Sequence, residues 1–256
     1  MVKSIQSLDR GLSVLEQLSE AGALSLAELA KQTDLPKATL LRLLKTMGER
    51  GWVHRRLNDG KYLATERQRR EEPESHNAVD YGRSAGPEMV RLSRATGLPC
   101  DLTLLVAPGT LEVVESTRQK QANGVDPMVV GFRPSLIFSS PGRAILSALS
   151  RQDRQHHLAH ILRMDSPAER FALTSGHLDH ELNETRARGY AVRASGYWPD
   201  SSDYGEEPMD IALPLFGKNG LAGSLSLVWP LNKAGHEEMA KRHLQHLKSS
   251  AQIISG

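Results

Sequence analysis

The stretch "LPKATLLRLLKTMGERGWVHR", residues 35–55, has the pattern of a short amphipathic helix followed by a turn. Pro36 suits a helix start, because the N–H that proline lacks would be unbonded there anyway. Apolar residues then recur at helical spacing, which predicts one buried face. The members of that face are Leu40, Leu43, Leu44 and Met47. Gly51 predicts the end of the helix.

Two further helices are predicted before this stretch. In "SLDRGLSVLEQLSE" (7–20), leucines recur at intervals of four, three and three residues, which indicates a single apolar stripe that ends near Gly22. The stripe consists of Leu8, Leu12, Leu15 and Leu18. In "SLAELAKQT" (25–33), Ser25 and Glu28 have the spacing of a capping box, so a second helix begins there.

The segment after Gly51, "WVHRRLNDGKYLAT" (52–65), predicts a β-hairpin. Its turn is Asn58-Asp59-Gly60, and these residue types tolerate the backbone conformations of tight hairpin turns. Three helices followed by a hairpin describe a winged helix-turn-helix. We therefore predict a DNA-binding domain over residues 1–65.

The polar face of the third predicted helix has the chemistry needed to read DNA. Its residues are Lys37, Thr39, Leu41, Arg42 and Lys45. A helix fits the major groove of B-DNA, where arginine can bond guanine with two hydrogen bonds. We expect Arg42 at a guanine or a phosphate, Thr39 at a base or a phosphate, and the lysines at phosphates. Three basic residues of the hairpin are expected near the adjacent backbone or minor groove: Arg55, Arg56 and Lys61.

Charge is divided unevenly along the chain. Residues 1–70 contain 13 Lys+Arg and 8 Asp+Glu, a net charge of +5, whereas the remainder contains 19 and 22, a net charge of −3. This division favours a polyanionic partner for the N-terminal part only. The sequence has no apolar run of about 18 residues and no signal-peptide pattern, and its one cysteine, Cys100, cannot support a disulfide framework. We therefore expect a cytoplasmic protein that does not enter a membrane.

Several of these motifs resemble the IclR (isocitrate lyase regulator) family of bacterial transcription factors. The N-terminal part resembles it in "SLDRGLSVLEQL", "LAELAKQTDLPKATLLRLLKTMGERGWV" and "DGKYLAT". The C-terminal part resembles it in "FSSPGRAILSAL" (138–149), "RARGYAVR" (186–193) and "MDIALPLFGKNGLAGSLSLVWP" (209–230). The C-terminal part is most similar to members that control the breakdown of aromatic acids, such as the hydroxyphenylpropionate regulator.

The resemblance implies an α+β protein with two domains. Residues 66–79, which are polar and charged, would be a linker, and residues 80–256 would form an effector-binding and oligomerisation domain. That domain would contain an antiparallel sheet flanked by helices, in a GAF-like arrangement. The resemblance also implies a homodimer or a dimer of dimers on palindromic promoter DNA, with RNA polymerase as a further candidate partner. No cofactor is expected.

The resemblance places an effector site between the turn near "FSSPGRA" and the strands of the last hairpin. The matching positions are Ser140, Pro141, Gly142, Asp200, Asp210, Ser226 and Val228. The helix that begins near Gly142 is expected to offer free N–H groups to an effector carboxylate. Asp210 would repel an anion unless it accepts from an effector hydroxyl or pairs with Arg133 or Arg143. Tyr197, Trp198 and Trp229 would add aromatic surface nearby, so we expect an aromatic acid, with or without a hydroxyl group, or its catabolite, in preference to a two- or three-carbon acid. Both tryptophans could instead be core or dimer-contact residues.

Two other classes of protein are weighed against this interpretation. A small-molecule-binding protein or an enzyme could carry a helical N-terminal domain that does not bind DNA. However, the sequence contains no GxSxG, GxGxxG or P-loop motif. His156 and His160 have a zinc-ligand spacing, but no nearby carboxylate or cysteine completes a set, so we predict neither a metal site nor a catalytic site. We interpret Cys100 as a core residue.

Overall fold

The computed structural model describes residues 5–50, 52–57, 59–64, 75–119, 129–162, 167–197, 208–217 and 220–256. The chain divides into two compact units, residues 1–81 and 82–256. The first unit contains α1 (Gln6–Ala21), α2 (Leu26–Thr33), α3 (Lys37–Glu49), β1 (Val53–Arg55) and β2 (Tyr62–Ala64). This order is that of a winged helix-turn-helix, as predicted. No helix in the described part of the chain has the length and apolar character needed to cross a bilayer.

Local signals in the sequence set the helix boundaries of the first unit. Ser25 and Glu28 form the predicted capping box, in which each side chain accepts a hydrogen bond from the other residue's backbone N–H. Asp34 ends α2 in the left-handed conformation, at φ 52°. Gly22 ends α1 with a positive φ. Leu24 pairs with Tyr62, so a third short strand segment joins the hairpin.

The core of the first unit follows the predicted pattern in α2 and α3 and departs from it in α1. Leu29, Leu40 and Leu44 are buried together with Leu15 and Leu18. However, Leu8 and Leu12 are 57% and 47% exposed. Val14 is buried in the core in their place. Because residues two apart in a helix lie roughly 160° apart around its axis, burying Val14 turns Leu12 outward.

The second unit contains a four-stranded antiparallel sheet in the order β4-β3-β6-β5. Its strands are β3 (Cys100–Ala107), β4 (Thr110–Ser116), β5 (Pro208–Gly217) and β6 (Gly220–Pro230). Its helices are α4 (Ser75–Thr96), α5 (Ser140–Ala148), α6 (Arg151–Ile161), α7 (Pro167–Thr174), α8 (His177–Arg188) and α9 (His236–Ser255). The unit boundary falls within α4, whose first turn includes residues that we assigned to the linker. This arrangement is the predicted α+β fold.

The two faces of the sheet differ in polarity. Strand register places Asp101, Ser226 and Ala212 side by side on one face, and α5 covers that face through a buried cluster of Ala144, Ala191 and Ala212. The other face carries Cys100, whose Sγ contacts the carbonyl of Met89 on α4. α5 and α6 are separate helices, and Ser150 caps α6 by accepting from the N–H of Asp153.

Candidate nucleic-acid interface and effector site

The outward face of α3 combines positive charge with one exposed apolar side chain. Lys37, Arg42 and Lys45 are exposed. Leu41 is 48% exposed, whereas Leu40 beside it is fully buried. The helix therefore divides into a core side and a solvated basic side, as its sequence pattern predicts. The major groove of B-DNA admits an α-helix, so a basic helix side of this kind is suited to it.

Three other residues, Ala38, Thr39 and Thr46, also belong to the outward face of α3. Ala38 and Thr46 are exposed on it, and neither could be predicted from the sequence pattern because neither is charged or strongly apolar. Thr39 is half-buried at the edge of the face. Thr46 donates its hydroxyl to the carbonyl of Arg42 at 3.0 Å, which fixes the orientation of its side chain on the helix.

Lys45 forms only a loose ion pair within α3. Its Nζ lies 3.9 Å from the carboxylate of Glu49, and both side chains are largely exposed. Exposed pairs of this type contribute little free energy in water. A phosphate group can therefore replace Glu49 as the partner of Lys45 at low cost.

Arg56 does not lie where a DNA contact requires it. Its side chain is 6% exposed, and its guanidinium forms two hydrogen bonds with the carboxylate of Asp59 in the hairpin turn. The pair is favoured because a buried cation needs a counter-charge. The expectation that Arg56 contacts DNA is therefore corrected, and Arg56 is a structural residue of the hairpin.

The other two basic residues of the hairpin also have partners within the protein. The Nε of Arg55 donates to the carbonyl of Gly60 at 3.0 Å, and its guanidinium lies over the ring of Tyr62. Lys61 lies 3.3 Å from the carboxylate of Glu28, which links the hairpin to the capping box of α2. Hydrogen bonds from the backbone and hydroxyl of Ser25, and then Lys61, lower the pKa of Glu28 to about 2. Glu28 is thus ionised at neutral pH and holds Lys61 in place.

Several of the predicted effector residues lie together in the second unit. Ser140 is buried in the first turn of α5 and donates its hydroxyl to Oδ2 of Asp210 on β5. Asp210 lies opposite Val228 in the β5–β6 register, and Ser226 lies two residues further along β6 on the same face. Family resemblance placed these residues at one site, and the fold brings them together.

The start of α5 differs from the expectation of free N–H groups. Pro141 has no N–H. The hydroxyl of Ser139 accepts the N–H of Gly142 at 3.0 Å, and the carbonyl of Ser139 accepts the N–H of Arg143. The first turn of α5 is therefore largely capped from within. The dipole of α5 remains, but Gly142 does not offer a free donor to a carboxylate.

The cation beside Asp210 is Arg193, which was not predicted from the sequence. Its Nη1 lies 4.0 Å from Oδ1 of Asp210. The two candidates named from sequence pair elsewhere: Arg133 with Glu112 at 3.0 Å, and Arg143 with Glu181 at 2.9 Å. The antiparallel bridge between Ala191 and Ala212 explains the contact. Arg193 follows Ala191 by two residues and Asp210 precedes Ala212 by two, so the antiparallel pairing places them opposite each other.

Three buried oxygen atoms at this site have no hydrogen-bond partner among the residues that the structure describes. They are Oδ1 of Asp210 and the Oγ atoms of Ser224 and Ser226. All three atoms lie on the sheet face that α5 covers. Ser224 and Ser226 are on that face because they alternate along β6 with buried leucines of the opposite face. Because an unpaired buried polar atom costs free energy, these atoms mark a place where a ligand with donor groups is favourable.

Of the aromatic residues assigned near the effector site, two can be placed. Trp229 is fully buried, donates from Nε1 to the carbonyl of Ala234 at 2.8 Å and faces His236. It belongs to the sheet face opposite Asp210 and is therefore a core residue. Tyr197 accepts the backbone N–H of Ser135 at 2.7 Å. Asp200 and Trp198 lie outside the described residues.

Cys100 and the histidines of α6 are the residues that bear on enzyme chemistry. Cys100 is fully buried, and burial raises the pKa of its thiol to about 12, so it is not a thiolate nucleophile at neutral pH. His157 accepts the N–H of Gly109 at 3.2 Å. Within the described ranges, no three His, Cys, Asp or Glu side chains are placed to hold a metal ion.

Comparison with known proteins agrees with both units. The sequence matches the profile of the IclR helix-turn-helix domain over residues 7–57. It matches the profile of the bacterial transcriptional regulator IclR C-terminal domain over residues 76–256. The acetate operon repressor of Salmonella typhimurium is 28% identical over 199 residues, which cover 73% of this chain and 68% of the repressor.

Two further relatives cover nearly the whole chain. The regulator KdgR of Escherichia coli is 25% identical over 260 residues, with 98% of this chain and 92% of KdgR covered. The crystal structure of an IclR homologue from Microbacterium hydrocarbonoxydans, complexed with 4-hydroxybenzoate, has a TM-score of 0.54 and 21% identity over 97% of each chain. Because the C-terminal profile alone covers more than half of the sequence, this chain belongs to the IclR family of DNA-binding transcriptional regulators.

Proposed function

We propose that α3 is the recognition helix and that the protein binds a palindromic operator as a homodimer or a dimer of dimers. The observation that carries this proposal is the exposed basic face of α3, with Lys37, Arg42 and Lys45 around Leu41. One winged helix offers few base contacts, so two copies on a two-fold operator are needed for specific binding. Such a regulator acts in the bacterial cytoplasm, at a promoter where RNA polymerase also binds.

Each residue on this face has a distinct proposed role. Arg42 bonds the major-groove edge of a guanine, and Leu41 contacts a thymine methyl group. Lys37 and Lys45 bind phosphates, and Thr39 contributes at the edge of the interface. The hairpin contributes Arg55 and Lys61 at its surface, but Arg56 is excluded because Asp59 holds it inside the turn.

The proposed effector is a small carboxylic acid that also carries a hydroxyl group. The hydroxyl would donate to Oδ1 of Asp210, which has no hydrogen-bond partner in the described structure. The carboxylate would interact with Arg193, which offsets the repulsion from Asp210. Ser140 and Ser226 would complete the polar side of the site, and Pro141, Gly142 and Val228 its packed side. A protein of the same fold holds 4-hydroxybenzoate, which carries both groups, so hydroxylated aromatic acids are the first ligands to test.

Effector binding in the second unit would change how the protein acts at its operator. The test is fluorescence anisotropy of the full chain on DNA from upstream of its own gene, titrated without ligand and with each acid of a panel. The panel is 4-hydroxybenzoate, 3-(3-hydroxyphenyl)propionate, benzoate and pyruvate. We expect the two hydroxylated aromatic acids to shift operator affinity more than benzoate or pyruvate. If pyruvate alone shifts it, the aromatic assignment is wrong.

A further inference from the structure

Three of the ten histidines in the chain lie within residues 156–160 of α6. His156 is exposed and His160 is half-buried. The centroids of these two rings lie 5.4 Å apart, at an interplanar angle of 64°. Neither ring has a hydrogen-bond partner among the residues that the structure describes. The two imidazoles are therefore available to a common ligand.

The spacing of His156 and His160 places both rings on one face of α6. Residues four apart on a helix lie one turn above each other, and two histidines at this spacing are the zinc-binding pair of helical metal motifs. With metal–nitrogen bonds of about 2.0–2.1 Å and a tetrahedral angle at the metal, the centroids of two coordinated imidazoles lie about 5 Å apart. The observed separation of 5.4 Å is close to this value, so chelation requires only a small adjustment of the side chains.

His157 does not belong to this pair, but it holds the pair in position. Its Nδ1 accepts the N–H of Gly109, in the turn between β3 and β4, at 3.2 Å. In a neutral ring this bond places the proton on Nε2, so His157 has no free lone pair for a metal. The same turn of α6 packs closely on Gly109, since a Cβ at that glycine would lie 3.2 Å from the Cβ of His160. The backbone that carries the pair is thus fixed.

The charged neighbours of the pair have partners of their own. Asp153, one turn before His156, accepts from the hydroxyl of Ser150 at 2.7 Å and belongs to the cap of α6. Arg154, a cation that would oppose a metal ion, lies 3.6 Å from the carboxylate of Asp179 on α8. Two imidazoles without a carboxylate favour Cu²⁺, Ni²⁺ and Zn²⁺ over Mg²⁺ and Ca²⁺, which prefer oxygen ligands.

We propose that His156 and His160 chelate one divalent transition-metal ion of the Zn²⁺ and Cu²⁺ class, with water in the remaining coordination positions. Each neutral imidazole would donate the lone pair of one ring nitrogen, so no proton is transferred. The chelate would join two successive turns of α6, in which Ile161 is the buried side chain. It uses no residue of the proposed effector site or of the DNA-binding face.

The test is isothermal titration calorimetry of the full chain with ZnCl₂, CuCl₂ and MgCl₂, in a buffer that does not bind metals. We expect one equivalent of Zn²⁺ to bind, Cu²⁺ to bind more tightly, and Mg²⁺ not to bind. The decisive variant exchanges two neighbouring side chains, Gln155→His with His156→Gln. It keeps the composition of the chain but places the first imidazole five residues before His160, about 140° away around the helix. Zn²⁺ affinity should therefore fall roughly tenfold or more.

Two controls separate this pair from the rest of the chain. Gln155 and His156 are both exposed, so the exchanged variant should give the circular dichroism spectrum of the parent. His246→Gln changes another histidine pair, His243 and His246 on α9, which are three residues apart with ring centroids 6.4 Å apart. It should leave Zn²⁺ affinity within about twofold of the parent, since one lost ligand of a real chelate costs more than that.

Three results would overturn the proposal. The first is that the parent does not bind Zn²⁺, or binds Mg²⁺ as tightly. The second is that the exchanged variant binds Zn²⁺ as the parent does. The third is that His246→Gln alone loses binding, which would place the metal ion on α9.

Discussion

The hydroxyl of Ser140 donates a hydrogen bond to the carboxylate of Asp210, and this contact joins the first turn of α5 to β5 across 70 residues of sequence. Only one carboxylate oxygen is used in this way. The other, Oδ1, lies 4.0 Å from Arg193 and has no hydrogen-bond partner in the described structure. The two oxygens therefore differ: Oδ2 joins α5 to β5, and Oδ1 is the acceptor that we propose for the effector hydroxyl.

Asp210→Asn tests the proposed hydroxyl contact. Asparagine can still accept from Ser140, but it removes the charge that attracts a hydroxyl donor and repels a carboxylate. We expect the ratio of 4-hydroxybenzoate affinity to benzoate affinity to fall roughly tenfold, about 1.4 kcal/mol, which is the size of one charge-assisted hydrogen bond. Calorimetry with both acids measures this ratio. An unchanged ratio would remove Asp210 from the effector site.

Arg42→Ala tests base reading by α3. If Arg42 bonds a guanine with two hydrogen bonds, its loss should cost about 1–3 kcal/mol on the operator and relax preference at one base pair. Competition anisotropy with operators mutated one base pair at a time locates that position. An equal loss on operator and scrambled DNA would instead assign Arg42 to a phosphate.

Lys45→Ala tests the proposed phosphate contact. It should weaken binding to all sequences alike and reduce the slope of log affinity against log salt by about 1. Lys248→Ala, which removes an exposed lysine of α9, is the matched control and should leave the slope unchanged. A sequence-selective loss for Lys45→Ala would contradict its assignment.

Arg56→Ala separates a structural arginine from an interface arginine. Removing Arg56 takes the guanidinium partner from Asp59, which keeps only the backbone N–H of Lys61 among the described residues, so we expect the free energy of unfolding of the first unit to fall by about 1–3 kcal/mol. Arg55→Ala is the control in the same hairpin and should change stability less, because Arg55 is exposed. Thermal unfolding followed by circular dichroism compares them. Equal stability of the two variants would show that the Arg56–Asp59 pair does not support the hairpin.

The low pKa of Glu28 predicts a pH dependence in the acid range. Because folding lowers this pKa from 4.5 to about 2, ionised Glu28 stabilises the folded state above pH 4.5. That contribution is lost as the pH falls from about 4.5 towards 2. The stability difference between the parent and Glu28→Gln should therefore shrink over that window, as measured by urea unfolding at several pH values. A difference that stays constant would contradict the lowered pKa of Glu28 in the folded state.

Sequence pattern predicted most of the first unit because its signals are local. The capping box of Ser25 and Glu28 and the apolar spacing of α3 depend on neighbours within one or two turns. The error in α1 has a tertiary origin: Leu12 fits the helical spacing as well as Val14 does, and only packing against the other helices decides between them. The same limit explains Arg56, whose burial depends on the conformation of the hairpin turn.

The proposed effector site was harder to predict because its residues are distant in sequence. Resemblance to the family brought Ser140, Asp210 and Ser226 together, but not Arg193, which reaches Asp210 only through the bridge between Ala191 and Ala212. The capping role of Ser139 was also missed, although a serine before a proline-led helix was a readable signal. Trp229 could not be assigned until strand register placed it on the core face.

The central claim is that α3 makes this chain a sequence-specific DNA-binding protein. The most direct test is fluorescence anisotropy of the purified chain, and of Arg42→Ala, on its own upstream DNA and on scrambled DNA across a salt series. We predict that the parent prefers the upstream DNA, that its affinity falls steeply with salt, and that Arg42→Ala loses most of the preference. Equal, salt-insensitive binding of both proteins to both DNAs would contradict the account.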